Sequence, residues 1–232
     1  MEPPGSLPGT IAVEGAMVAK AKGRLAPRID DEELTESFAE QLADGPVSRA
    51  LALGSTLPPL TSARGQALRM EECVWRDVRL ADPGARRARL ADVRIEGSDL
   101  ANLDLTESLL ERVEVSSSRM TGAQLVEAQL KSVLFRECRM DLAQFRMARL
   151  AQCVFERCNL ADADFYGADL TGAILRGCDL SHADFSHAKL AGADIRDCRL
   201  DGLRGMPASL DGLRISADQA VLVVTLFGVL VG

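Results

Sequence analysis

The sequence predicts an all-β solenoid, a chain wound into stacked coils that turn a corner every five residues. Three observations carry that reading. Large apolar residues stand at every fifth position from Trp75 to Leu200, as in Leu160, Phe165, Leu170, Leu175, Leu180 and Phe185, and the beat holds its phase without an insertion. Two places before these centres sit small residues, such as Cys158, Ala163, Ala168, Ala173, Cys178 and Ala183. Between residues 90 and 202 every glycine (Gly97, Gly122, Gly167, Gly172, Gly177, Gly192 and Gly202) falls two places after a centre, where a corner needs permissive backbone angles. A period of five fits neither an α-helix nor a flat strand. Coils stacked through backbone hydrogen bonds about 4.8 Å apart leave a narrow interior, which accounts for the small residues. Only Ala85, beside Pro83 and Gly84, is a weak centre.

Taken in order, residues 1–28 are rich in Pro, Gly and Ala, carry a basic cluster at Lys20, Lys22 and Arg24, and read as a mobile tail. Residues 29–67 read as a short helix and connector. Asp30 or Asp31 caps the helix, Leu34, Phe38 and Leu42 line one side, and Gly45 ends it. Pro46, Gly54 and Pro58-Pro59 mark the connector. The solenoid occupies residues 68–204. Residues 205–232 lose the beat at Gly205, Met206 and Pro207, after which Leu210, Leu213 and Ile215 only echo it. Ser216-Ala217-Asp218-Gln219 then resembles a capping box that opens an apolar helix. That tail is well short of the ~20 apolar residues that span a bilayer. Its Val221, Leu222, Val224, Leu226, Phe227 and Leu230 are candidates for capping the open end of the solenoid or pairing with a second copy.

Composition narrows the function classes. Among 232 residues, 34 acidic side chains outweigh 27 basic ones, for a net charge of −7. This balance argues against direct nucleic-acid binding through phosphate contacts. The apolar run near Ile11 to Val18 is short and broken by Glu14, so no secretory signal is evident. The 6 cysteines therefore read as reduced thiols in a cytoplasmic protein. No phosphate-binding loop, dinucleotide turn or CxxC pair is present, and the sequence implies no cofactor, no metal and no membrane association.

The triplets Ala163-Asp164-Phe165 and Ala168-Asp169-Leu170 resemble the A-(N/D)-L-x-x motif of the pentapeptide-repeat family. The resemblance implies that four pentads make one square turn of a right-handed parallel β-helix, the quadrilateral solenoid, so that residues twenty apart lie above one another. In some relatives a C-terminal helix makes a dimer, and the apolar tail is similar to that arrangement, which implies a homodimer. Other relatives bind DNA gyrase by presenting a surface that imitates the phosphate line of DNA.

This register sorts the outward residues into faces. One face carries Asp104, Glu107, Glu127, Asp164 and Asp184 against Arg146. It reads either as a DNA-mimicking surface for gyrase or as the acidic position of the repeat itself keeping the rod soluble. On another face Leu134, Val154 and Ile174 form an apolar stripe expected to be exposed, and such stripes are covered or used for contact. The N-terminal helix, through Leu34, Phe38 and Leu42, is the nearest cover, and a partner protein is the alternative. Cys138, Cys158, Cys178 and Cys198 form an inner ladder, a remote candidate for thiol-redox chemistry but more simply small filling for a narrow core. His182 and His187 sit at corners of a convex rod, where no catalytic partners converge, and His182 lies one coil from Asp162, within reach of an ion pair. The sequence therefore predicts a non-enzymatic interaction module with a protein partner.

Overall fold

A computed structural model of the chain describes residues 24–60, 67–205, 210, 212–226 and 230. The elements in order are a 3-10 turn (Asp31–Glu33), α1 (Phe38–Asp44), β1 (Val47–Ser48), β2 (Leu51–Leu53), β3 (Thr56–Leu57), β4 (Arg69–Arg76) and β5 (Arg79–Leu80). They continue through β6 (Arg89–Glu96), β7 (Leu109–Ser116), β8 (Gln129–Lys131), β9 (Leu134–Arg136), β10 (Arg149–Ala151), β11 (Val154–Glu156) and β12 (Ile174–Arg176) to α2 (Gln219–Leu226). All strand pairs are parallel, and from β4 onward partners lie twenty residues apart: Trp75 on Ile95, Ile95 on Val115, Val115 on Phe135, Phe135 on Phe155 and Phe155 on Leu175. Single bridges with the same spacing, such as Asp164 to Asp184 and Asp184 to Arg204, complete the other sides of the solenoid.

The corners explain the five-residue beat. From Ala85 onward the backbone two residues after a centre is left-handed whatever the residue: φ is 58° at Asn102, 61° at Leu142 and 59° at His182. Glycine is demanded only where the next coil comes too close. A Cβ at Gly202 would run into the His182 ring, which reaches up over it and does not pair with Asp162. Many corners close with a bond from the amide three places on, as when Leu103 N donates to the Leu100 carbonyl at 3.1 Å. The acidic position before the centre has its own work there. Asp104 Oδ1 accepts from Thr106 N (3.0 Å), Asp164 from Tyr166 N (2.8 Å) and Asp184 from Ser186 N (2.8 Å), satisfying amides the coil leaves unpaired.

Inside, the centres stack. Phe145, Phe165 and Phe185 lie in a ladder with ring centroids 4.8 Å apart at each step. The small column holds hydrogen-bonding side chains in sequence. Ser98 Oγ accepts from Val78 N and Ser118 Oγ from Ser98 N, both at 3.1 Å. Above them Cys138, Cys158 and Cys178 donate to the carbonyls of Val115, Phe135 and Phe155 at 3.4–3.5 Å. The cysteine ladder continues a serine ladder.

The N-terminal region departs from the sequence reading in two ways. The predicted helix over 29–43 is split. Asp30 caps only the 3-10 turn, accepting from Glu32 N, and Leu34 is extended (φ −77°, ψ 142°). Thr35 bridges to Ala50, so α1 starts at Phe38. Thr35 N donates to the Arg49 carbonyl and the Thr35 carbonyl accepts from Leu51 N, bonds that outweigh helix continuation. Residues 47–57 are also not a connector. They form an additional coil, with Val47 on Met70, Ala52 on Trp75 and Leu57 on Leu80. Val47, Ala52 and Leu57 keep the beat, but their offset to the next coil is three residues longer than the standard one, which hid the phase. Phe38 meets Trp75 edge to face at 5.3 Å, and Phe38 and Leu42 are buried, so α1 closes this end of the core.

At the far end Gln219 is the closing residue. Its Nε2 donates to the carbonyls of Ile195 (2.9 Å) and Cys198 (2.7 Å), and its Oε1 accepts from Ser216 N (2.8 Å). That last bond is one half of the predicted capping box. The Ser216 hydroxyl is used instead by Asp197 N of the coil below. Val223 is buried in the main core, whereas Val221, Leu222 and Val224 remain exposed. Phe227 and the chain before Arg24 lie outside the described residues. Among the described residues no helix is long and apolar enough to cross a membrane.

Candidate interaction faces

The acidic face is more nearly neutral than its sequence suggests. Arg86 approaches Asp104 (3.9 Å) and Glu107 (3.6 Å), Arg87 holds Glu107 (2.9 Å), and Arg146 holds Asp164 (2.7 Å). Arg87 beside Glu107 keeps that carboxyl below its usual range. At Asp184 burial pushes the carboxyl up, but the bonds from Ser186 outweigh it and hold it below the ordinary value. Asp104, Asp164 and Asp184 are tied to corners of the coil, leaving Glu107 and Glu127 as the side chains that serve only the surface; Glu127 has no ion pair among the described residues.

The same face holds a cluster that the sequence reading passed over. The Arg146 guanidinium lies 4.6 Å from the centre of the Tyr166 ring, and Tyr166 meets His187 edge to face at 5.1 Å. On either side of Arg146, at the two corners of the same coil edge, Leu142 is 53% and Met147 is 56% exposed. The signal was available: both are large apolar residues two places after a centre, where other coils carry glycine or polar residues.

The apolar stripe is a correction. Leu134, Val154 and Ile174 do point outward and pair in register, but they are buried, at 3%, 0% and 9% exposure. They form a small cluster of their own, separate from the main core. The predicted cover is not what lies over them, since α1 sits on β1 and β2 at the opposite end and Phe38 and Leu42 belong to the main core. What runs along this face is the segment before α1. Asp31 meets Arg94 (3.1 Å), Arg28 N donates to Asp92 Oδ1 (2.8 Å), and Arg24 pairs with Glu114. Burial raises the Asp92 carboxyl, and the bonds from Arg112 and Arg28 more than offset it, so it is held low.

All six cysteines are free thiols in buried positions. Burial pushes the thiol of Cys153 up to about 12 and that of Cys73 up to about 11. Cys158, between Cys138 and Cys178 in the ladder, donates to the Phe135 carbonyl, and the neighbouring Cys158 sulfur together with burial pushes the thiols of Cys138 and Cys178 up. At Cys73, Cys138, Cys153 and Cys178 the raised values favour the thiol over the reactive thiolate. Among the described residues no group of three or more His, Cys, Asp or Glu side chains is arranged to hold a metal ion.

Comparison with known proteins bears on this geometry. The family model for pentapeptide repeats matches with 8 copies, over residues 123–160, 138–177 and 163–202. The fold is similar to HetL, a pentapeptide-repeat protein involved in heterocyst differentiation regulation in the cyanobacterium Nostoc sp. strain PCC 7120. That match has 18% identity and a TM-score of 0.35, over 73% of this chain and 86% of that one. It is also similar to QnrB1, a plasmid-mediated fluoroquinolone resistance protein, with 18% identity and a TM-score of 0.41 over 82% of this chain and 100% of that one. A pentapeptide-repeat protein of the Arabidopsis thaliana thylakoid lumen matches at 26% identity and a TM-score of 0.26, covering 48% of this chain and 74% of that one. No curated protein matches the sequence.

Proposed function

We propose, from the chain's membership of the pentapeptide-repeat family, that it is a non-enzymatic protein-interaction module of the cytoplasm. Its rod offers the face around Arg146 to a protein partner. The observation that carries the reading is the exposed row of Leu142 (53%) and Met147 (56%) flanking the Arg146–Tyr166–His187 stack. Arginine, methionine and aromatic side chains are enriched where interfaces place their binding energy. A face built on backbone-paired coils is already ordered, so less conformational freedom is lost on association.

The test is capture with chemical cross-linking from cells that make the protein, wild type against Arg146→Ala/Met147→Ala. A partner held by the wild type and lost by the double variant is expected, a loss of ~30-fold for a pair worth ~2 kcal/mol. A partner held equally by both overturns the assignment of this face.

Modulation of DNA gyrase by imitation of the DNA phosphate line is the second reading, favoured by the unpaired Glu127 and by the succession of Asp164 and Asp184 on adjacent coils. The arginines that neutralise this face place it second. In a gyrase supercoiling assay with and without a quinolone, it expects an effect at micromolar protein that Glu107→Lys/Glu127→Lys abolishes. Charge reversal belongs at those two positions because Asp164 and Asp184 hold corners. The remote thiol-redox reading finds no support in six buried thiols.

We read the protein as a homodimer through α2, supported by the exposure of Val221 (51%), Leu222 (42%) and Val224 (37%) beside the buried Val223. Light scattering is expected to give twice the chain mass, halved by truncation before Ser216. An unchanged mass after truncation rejects this interface.

A further inference from the structure

One side of the rod carries the opposite sign to the chain as a whole, whose net charge is −7. On the side where the start of β4 and then β6, β7, β8 and β10 lie in register, the outward residues between the corners carry Arg69, Arg89, Lys131 and Arg149 against Glu71 and Glu111. Neighbouring carboxylates are already engaged. Glu111 is held by Arg112 (2.8 Å) and Lys131 (3.1 Å), and at the adjoining corner Glu107 is held by Arg87 (2.9 Å). Asp169, the register neighbour of Arg149, accepts from Thr171 N (3.1 Å) and faces Lys189 at 3.8 Å. Arg89 and Arg149 are exposed, and among the described residues neither has a carboxylate at ion-pair distance; Glu127, at the corner, pairs with neither. Most arginines of this rod do reach a carboxylate, as Arg112 reaches Asp92 and Arg157 reaches Glu137. Two left open on one side are therefore available to something else.

The register also fixes their spacing. Arg89 lies beside Leu109, Leu109 beside Gln129, and Gln129 beside Arg149. Leu109 is 41% exposed, and the outward places next along the strands from the two arginines hold only Ala91 and Ala151, which keeps the surface low. At about 4.8 Å per coil the two arginines stand ~14 Å apart. An extended peptide laid along the rod rises ~3.4 Å per residue and turns every second side chain to the same side, so its residues i and i+4 are also ~14 Å apart. Residue i+2 comes down at ~7 Å, between Leu109 and Gln129.

We infer that this side is a docking surface for an extended acidic segment of a partner protein. Carboxylates four residues apart meet Arg89 and Arg149, and an apolar side chain midway rests on Leu109. A guanidinium offers a carboxylate two parallel N–H donors, so each end of the segment is held in a defined orientation. A nucleic acid is the poorer fit: none of these outward residues is an aromatic on which a base could stack, and Glu111 and Glu127 repel a continuous phosphate line. The surface adjoins the Arg146 face across the Met147 corner but uses none of its residues, so it is independent of the function proposed above.

Fluorescence anisotropy of a labelled synthetic peptide with the full chain tests this. The peptide carries two glutamates four residues apart with a leucine midway, and its control has the same composition with the glutamates adjacent. The patterned peptide is expected to bind about tenfold more tightly than the control, and more weakly as salt rises. Arg89→Ala/Arg149→Ala is expected to weaken it by about tenfold or more, while Arg139→Ala, an exposed arginine on the opposite side, leaves it unchanged. A peptide with lysines in place of the glutamates should bind Arg89→Glu/Arg149→Glu in preference to the wild type, a gain that a misfolded variant would not show. No binding of the patterned peptide, equal binding of the two peptides, or equal binding by the wild type and Arg89→Ala/Arg149→Ala overturns the inference. So does a single-stranded oligonucleotide that binds more tightly and displaces the peptide, because the partner is then a nucleic acid.

Discussion

Phe165→Ala is expected to lower the stability of the solenoid by about 3–5 kcal/mol, the range for deleting a fully buried aromatic side chain. The ring has 0% exposure and lies between Phe145 and Phe185, 4.8 Å from each and within 4° and 8° of parallel. Phe155 closes the set, edge to face on Phe145 at 5.8 Å. The interior is narrow and each level is fixed by backbone pairing to the next, so neighbouring coils cannot collapse into the space without breaking their register. Phe165→Leu keeps most of the volume and is expected to cost less than ~1.5 kcal/mol. Leu142→Ala, exposed at a corner, belongs within ~0.5 kcal/mol of the wild type. Urea unfolding curves measure all three. Because a solenoid is coupled coil to coil, hydrogen exchange in Phe165→Ala should rise first in the coils around residues 145–185. A loss below ~1 kcal/mol, or exchange raised evenly along the rod, contradicts the ladder as a local keystone.

The parts of this molecule that repeat were legible, and the parts that depend on reach were not. A beat of five with small residues two places earlier carries the coil, because every pentad meets the same narrow interior and the same left-handed corner. The first coil escaped notice because Val47, Ala52 and Leu57 pair with Met70, Trp75 and Leu80 at a longer offset. A periodic pattern read in one phase misses a phase shift. The acidic face was overcounted for a different reason. Arginine is long enough to cross one coil, so Arg87 and Arg146 neutralise carboxylates about twenty residues away that a strictly local count leaves free. The aspartates before each centre also do two jobs, and their bonds to corner amides show that much of the acidity belongs to the turn. The stripe was found in the right register with the wrong exposure. Its neighbours include a segment some ninety residues distant, in the contact of Arg24 with Glu114, and no sequence period announces such a contact.

Asp194 gives the second large effect, and its pH dependence identifies the cause. It follows Ile174 in the outward column, and its side chain is 4% exposed. Its carboxylate accepts from Arg176 Nη2 (2.9 Å) and from Arg196 Nε (2.9 Å) and Nη2 (2.8 Å). Burial alone pushes this carboxyl up, but the bonds from Arg196 and Arg176 outweigh it and hold it at about 2. An unfolded aspartate titrates near ~3.9. The folded value is the lower one, so the contribution is fully present above about pH 4 and disappears as pH falls toward 2. Its size at neutral pH is ~2–3 kcal/mol. Asp194→Asn should therefore be less stable than the wild type by about that amount at pH 7, with the gap closing to under ~1 kcal/mol near pH 2. Comparing the two proteins at each pH cancels the other carboxylates, including Asp92, whose Arg112 pairing has the same sign. Urea is the denaturant for this measurement, since guanidinium salts would screen the pairs under test. A gap that stays constant from pH 7 to pH 2 would mean that the side chain stabilises the coil by shape and neutral hydrogen bonding, and that its charge contributes nothing.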